Sequence, residues 1–253
     1  MSDLVSIIMP AYNTANYISA SIESILAQTY TNWELLIVDD CSTDKTVDVI
    51  KSYKDERIVV LKNKKNSGAA LSRNYALREA KGKYIAFLDS DDTWAEQKLE
   101  KQINFMKENG YAFTFTDYRI CQNGKWFPYI NIGPDVVDKK KMYDYCYFST
   151  ITVMYEREKI GLVQIADIQK NNDYAMWLKI VEKSDAYRLP ECLSYYIKHT
   201  GSISSGSKLK LIKWHYILFR KCLNKNPCIA VLFTINNLLH GILKKILYRK
   251  YID

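Results

Sequence analysis

Three five-residue runs, mainly apolar and β-branched, each give way at once to polar residues: Val5-Ser6-Ile7-Ile8-Met9 to Pro10-Ala11-Tyr12-Asn13, Glu34-Leu35-Leu36-Ile37-Val38 to Asp39-Asp40-Cys41-Ser42, and Tyr84-Ile85-Ala86-Phe87-Leu88 to Asp89-Ser90-Asp91-Asp92. Runs this short with so little alternation suit strands buried on both faces. The segments between them carry a different period. Tyr17, Ile18, Ile22, Ile25 and Leu26 recur at helical spacing behind the capping candidates Asn13 and Thr14. A second helix is expected from Ser42 to about Tyr53, a strand at Arg57–Leu61, and a third helix from Gly68 to Ala80, stopped by Gly82. Strands alternating with single helices make βαβ units. The expected fold class is therefore α/β, with a mixed, mostly parallel sheet and helices on both faces. Ligands of such sheets bind beyond the carboxyl ends of the strands, where the polar and acidic residues gather here.

Farther along, a helix is expected at roughly 94–108, strands at Ala112–Thr116 and Phe148–Met154, a helix at Asp173–Lys183 and a strand at Leu193–Lys198 before a Gly201–Gly206 loop. Ile120–Pro134 is turn-rich and aromatic, with no clear period.

Asp89, Asp91 and Asp92 crowd three carboxylates into four residues. Their repulsion is tolerable in a solvated turn, with Asp92 as a helix cap, and turns favourable when a divalent cation sits among them. Their place past an apolar strand favours the metal. Asp39 and Asp40 open either a capping turn or a site that accepts hydrogen bonds from a nucleobase or ribose. Neither G-x-G-x-x-G nor a Walker sequence is present, which argues against dinucleotide oxidoreduction and P-loop phosphoryl transfer. The six cysteines form no C-x-x-C pair and lie beside no His cluster, so neither a zinc site nor a disulfide framework is expected.

The net charge of +8 is unevenly placed. Residues 207–253 hold ten Lys or Arg against one acid, a net +9 that leaves residues 1–206 at −1. A basic face across the whole protein is missing, which excludes nucleic acid as the expected partner. No basic, apolar-cored leader opens the chain, so a cytoplasmic location is expected.

With these residues in view, VSIIMPAYNTANYISASIESILAQTY, WELLIVDDCSTDKT, NSGAALSRNYALREAKGKYIAFLDSDD and NNDYAMWLKI together resemble the family-2 glycosyltransferases of GT-A fold, over residues 4–205. The resemblance implies an inverting transferase that moves a sugar from a nucleoside-diphosphate donor, commonly a UDP-sugar, to a hydroxyl of a glycan or lipid-linked acceptor, with Mg²⁺ or Mn²⁺, in surface polysaccharide synthesis. A non-catalytic nucleotide-sugar-binding protein on the same fold is the alternative. Residue by residue, the resemblance implies that Ala11 and Tyr12 lie beside the base, Asp40 bonds it with Asp39 adjacent, and Arg73 lies near the nucleotide. Asp91 is then the metal ligand of a DXD-type motif, with Asp89 beside it toward ribose or metal and His199 near metal and diphosphate; Ser202 and Ser204 follow in the same segment. Asp173 is the implied catalytic base. The family's Glu-Asp pair reads Asn172-Asp173 here, a departure beside the base.

A catalytic domain over 1–206 is expected, its nucleotide part at about 1–117 and its acceptor part at about 118–206, followed by a basic, apolar helical tail over 207–253. The tail either docks on an anionic membrane surface, making the protein peripheral on the cytoplasmic face, or packs on the catalytic domain or in an oligomer.

Overall fold

A computed structural model describes residues 3–168, 170–199 and 208–252. The Gly201–Gly206 loop, with Ser202 and Ser204, and the expected boundary at 206/207 lie outside the described residues.

The first half follows the alternation of the sequence. Strand β1 (Val5–Ala11) leads to helix α1 (Ile18–Leu26), β2 (Trp33–Asp39) to α2 (Thr46–Ser52), and β3 (Ile58–Lys62) to α3 (Gly68–Glu79) and β4 (Tyr84–Phe87). These four strands are parallel, in the order β3-β2-β1-β4. Side chains of a strand alternate between faces, and here both faces are covered. Val5, Ile7 and Met9 pack in one layer with Ile18, Ile22 and Ile25. Ile8, Leu36 and Val38 pack in the other with Ala76, Leu77 and Trp177.

The second half is mixed. It runs through β5 (Thr93–Trp94), α4 (Lys98–Asn109), β6 (Phe113–Gln122), β7 (Lys125–Asn131), β8 (Val136–Val137) and α5 (Lys139–Asp144). It continues with β9 (Val153–Glu156), the short α6 (Arg157–Ile160), α7 (Asn172–Ile180) and β10 (Ala186–Lys198). β9 enters the sheet antiparallel between β4 and β6, and β10 runs parallel to β6 while pairing antiparallel with β5 and β8.

Three local expectations are corrected. Asn13 and Thr14 do not cap α1, whose N-cap is Tyr17. Asn13 instead takes a left-handed φ of 52° and its Oδ1 accepts from the Thr43 backbone, tying the β1 loop to the β2 loop. The strand expected at Phe148–Met154 begins only at Val153, because Thr150–Thr152 forms a 3-10 turn in which the Thr152 amide and hydroxyl both donate to Ser149 O. The turn-rich stretch after Ile120 is a hairpin of β6 and β7, closed by Asn123 (φ 51°) and Gly124 (φ 75°) between the paired Gln122 and Lys125. Two left-handed residues in a two-residue loop match the twist of the flanking strands.

Residues 208–252 fold back onto the domain. They form α8 (Lys208–Ile217), a π-helical turn (Leu218–Cys222), α9 (Pro227–Leu247) and β11 (Arg249–Tyr251), which pairs with β7. Leu218, Phe219 and Ala230 are fully buried in the layer that holds Trp177.

Candidate active site

The carboxyl edge of β1, β2 and β4 is a knitted surface. The Ser42 hydroxyl accepts from Asn13 N, the Thr46 hydroxyl from Thr14 N and Asp44 Oδ2 from Ala15 N, so two loops that meet no neighbour in sequence are held as one wall. Ala11 is buried in that wall, and Tyr12 projects from it, 48% exposed.

Asp39 and Asp40 are both buried, and they do different things. Asp40 Oδ1 accepts from Asn63 Nδ2 at 2.7 Å and from Ser67 N at 2.8 Å, and its Oδ2 accepts from Gly68 N at 2.7 Å. Asp40 thus holds the start of α3, where Gly68 has a φ of +83° that side chains rarely adopt. Asp39 Oδ1 accepts from Ser42 N, while its Oδ2 is buried with no hydrogen-bond partner among the described residues. A buried carboxylate oxygen left without a donor is costly, so Asp39 is the member of the pair with bonding capacity to spare.

The turn after β4 carries the acidic cluster. Asp92 is fully buried and accepts from Ile197 N of β10 through Oδ1 at 2.7 Å, while its Oδ2 has no partner among the described residues. Burial, with Asp91 and Asp89 nearby, pushes its carboxyl well above the usual range. This is a strand anchor and not the helix cap that the sequence allowed. Asp91 is likewise raised, by burial first and by Asp89 second. Its Oδ2 lies 2.8 Å from His199 Nε2, and the imidazole stacks on Tyr17 with ring centroids 4.4 Å apart and 12° between planes. His199 thus sits beside Asp91 at the end of β10, far from it in sequence. Asp89 Oδ1 accepts from Arg73 Nη2 at 2.5 Å.

Arg73 joins the two sides of the site. It is buried on α3, bonded to Asp89 and within electrostatic reach of both Asp91 and Asp173; these charges hold its guanidinium above its ordinary value against the cost of burial. Asp173 stands in the first turn of α7, where unpaired backbone N–H groups favour an anion. Asp173 Oδ1 accepts from Tyr174 N and Oδ2 from the Thr150 hydroxyl, each at 2.8 Å.

The donor set also speaks to the metal. Among the described residues no three His, Cys, Asp or Glu side chains form a group able to hold an ion by themselves. Asp91 offers a carboxylate oxygen of the kind that suits a hard divalent cation such as Mg²⁺ or Mn²⁺, which takes one or two carboxylates with substrate phosphates and water completing the shell. His199 Nε2 stands hydrogen-bonded to that carboxylate. An ion there would also offset the repulsion between Asp91 and Asp89, the second cause of the raised Asp91 carboxyl.

The sequence pattern brought most of these residues to notice, but not Thr150, Tyr17 or Asn63. Thr150 belongs to no motif. Tyr17 reads as an apolar helix position, and its ring partner lies 182 residues away in sequence.

Comparison with known proteins places this arrangement. The family model described as glycosyl transferase family 2 matches residues 6–165. A Bacillus subtilis glycosyltransferase named for teichuronic acid biosynthesis, TuaG, is 42% identical over 222 residues, 86% of this chain and 88% of that protein. Two Escherichia coli proteins named UDP-Glc:α-D-GlcNAc-diphosphoundecaprenol β-1,3-glucosyltransferase are similar as well: WfaP at 40% identity over 85% of this chain and 86% of its own length, and WfgD at 38% over 95% and 94%. Among solved structures, Staphylococcus aureus TarS 1-349 in complex with UDP-GlcNAc superposes with a TM-score of 0.73 at 21% identity, covering 94% of this chain and 72% of that one. The class is thus that of GT-A-fold sugar transferases. The chain belongs to glycosyltransferase family 2.

Proposed function

We propose that the chain transfers a hexose from UDP to a hydroxyl of a sugar carried on a polyprenyl diphosphate, with inversion at the anomeric carbon, in the building of a surface polysaccharide. The observation that carries the reading is the convergence on Arg73, which binds Asp89 and feels Asp91 and Asp173 together. That shared guanidinium supports reading the acidic turn and the carboxylate of α7 as parts of one site. Donor and acceptor follow from WfaP and WfgD, whose names give UDP-Glc, an α-D-GlcNAc-diphosphoundecaprenol acceptor and a β-1,3 linkage.

In this reading Tyr12 lies against the uracil at the lip of the wall, and Asp39 and Asp40 serve the base from behind, Asp39 with its spare oxygen and Asp40 by fixing the α3 loop. Arg73 and Asp89 border the ribose and diphosphate. Asp91 and His199 would hold Mg²⁺ or Mn²⁺; when bound, that ion offsets the negative charge that grows on the leaving diphosphate. Asp173 accepts the proton of the acceptor hydroxyl as its oxygen forms the new bond to the anomeric carbon and the bond to UDP breaks, the electron pair leaving with UDP. The two bonds from Thr150 and Tyr174 fix the carboxylate for that step. A lipid-linked acceptor supports work at a membrane surface, and the cytoplasmic face belongs to this proposal.

The test is UDP release from UDP-glucose by the purified chain, with and without a GlcNAc-diphosphate-lipid acceptor and a divalent cation. Acceptor-dependent release with a new β-linked disaccharide supports the proposal. Tight UDP binding with neither transfer nor slow donor hydrolysis would instead make the chain a non-catalytic nucleotide-sugar binder.

A further inference from the structure

α9 has two unlike faces. The inner face carries Ala230, Thr234 and Asn237, all buried, and Gly241, where an added Cβ would come within 2.9 Å of the Tyr145 ring. Its polar groups grip the domain: Asn236 Nδ2 donates to Asp144 Oδ1, Asn237 Nδ2 to the Tyr174 hydroxyl and Lys244 Nζ to Cys146 O. The outer face is a continuous apolar stripe at spacings of three and four residues. Leu232, Ile235, Leu239, Ile242 and Ile246 are 65%, 52%, 55%, 61% and 71% exposed, and no charged residue interrupts them. A contiguous apolar stripe from Leu232 to Ile246, roughly 22 Å at the helical rise, is far more than scattered surface apolar residues account for.

By length and composition α9 could cross a bilayer. The inner face argues otherwise, because a spanning helix would have to pull Asn236, Asn237 and Lys244 out of their bonds with the domain and into hydrocarbon. The charges around it point the same way. Exposed Arg220 and Lys221 precede α9, exposed Lys245 and Lys250 stand at and beyond its end, and residues 208–252 contain no Asp or Glu. A second copy seated on the stripe would bring basic ends against basic ends with no acid to balance them. An anionic lipid surface complements both the stripe and its flanks.

We infer that α9 lies in the plane of an anionic membrane with its stripe facing the acyl chains, and that this orients the active site toward a lipid-borne acceptor. The inner face bonds Tyr174, the residue next to Asp173, so the helix that meets the lipid also holds the start of α7. The inference rests on the proposed use of a lipid-linked acceptor for its purpose, though not for the docking itself.

The experiment uses the full chain, with co-sedimentation on phosphatidylglycerol-containing and on pure phosphatidylcholine vesicles at low and high salt. UDP binding by calorimetry and mass by sedimentation velocity are followed in parallel, for wild type and an L239E/I242E double variant. Both substitutions are on exposed positions outside the site. Expected are binding to the anionic vesicles that weakens in salt, a drop on the order of tenfold or more in the double variant, and unchanged UDP affinity. Wild type that ignores anionic vesicles, or a double variant that binds them as well as wild type, overturns the docking. A dimer that the double variant splits assigns the stripe to a second copy and overturns it too. Loss of UDP binding in both proteins with vesicle binding intact would strike the functional reading and leave the docking standing.

Discussion

The Thr150 hydroxyl donates to Asp173 Oδ2 at 2.8 Å, so the 3-10 turn before β9 and the first turn of α7 meet at a single carboxylate. If Asp173 takes the acceptor proton, that bond fixes the direction in which its remaining lone pairs point. Asp173→Asn is then expected to lower the transfer rate on the order of 10²–10⁴-fold with UDP affinity nearly unchanged. Thr150→Val is expected to cost about tenfold in kcat, again with UDP affinity unchanged, and Thr150→Ser to restore most of it, since a loosened base weakens catalysis short of removing it. Normal turnover in the Asp173→Asn enzyme at saturating donor and acceptor would show that another group takes the proton.

Asp91→Asn is expected to abolish the part of UDP affinity that depends on Mn²⁺ while leaving metal-free binding in place, because the change removes the charged donor beside His199. His199→Ala is expected to weaken the same component less, since the Asp91 carboxylate stays in place. Calorimetry with UDP, with and without Mn²⁺ and after chelation, reads both. Metal-dependent affinity that survives Asp91→Asn would move the ion elsewhere.

Asp40→Ala takes the acceptor from the Ser67 and Gly68 amides at a part-buried place, while Asn63 Nδ2 keeps its bond to the Ser72 hydroxyl. With these bonds to a buried carboxylate gone, the variant is expected to lose several degrees of Tm as well as UDP affinity. Asp39→Asn removes the charge from the carboxylate with the unpartnered oxygen, and is expected to weaken UDP binding with a smaller change in Tm. Thermal melts and UDP titrations on the two proteins separate the roles; the opposite ranking in both measurements would exchange them.

Much of the edge was legible because buried parallel strands leave an unmistakable sequence trace: Ile7, Ile37 and Phe87 sit in runs that nothing but a two-sided core explains, and the acids beyond them fall where such sheets bind ligands. What stayed hidden depends on partners distant in sequence. Nothing near Asp40 says that its oxygens are spent on Asn63, Ser67 and Gly68, and nothing near Thr150 points to Asp173. Asn123-Gly124 is a different case. The local signal for a two-residue hairpin was present, and the aromatic, aperiodic residues around it masked the strands on either side.

Lys98 yields a prediction about stability that no motif suggested. It is fully buried in the first turn of α4, its Nζ has no hydrogen-bond acceptor among the described residues, and its ammonium lies over the Trp94 ring, 3.9 Å from Nζ to the centroid. Burial pushes its ammonium well below the ordinary lysine value. The unfolded chain regains a lysine that titrates near about 10.4, so between the folded and unfolded values the unfolded state binds more protons and stability rises with pH. Buried thiols work against this trend. Cys146 is pushed up to about 12 and Cys192 up to about 11, so each stabilising contribution is present below the thiol's unfolded value of about 8.5 and is lost as pH rises above it. The difference between wild type and Lys98→Met removes the thiols from the comparison. Lys98→Met, which keeps the length of the chain and drops the charge, is expected to be more stable by roughly 1–3 kcal/mol at neutral pH. That advantage should shrink as the pH is raised toward 10, a trend that denaturant melts at a series of pH values would follow. A Lys98→Met protein that is less stable than wild type at neutral pH would mean that the ammonium over Trp94 stabilises the fold.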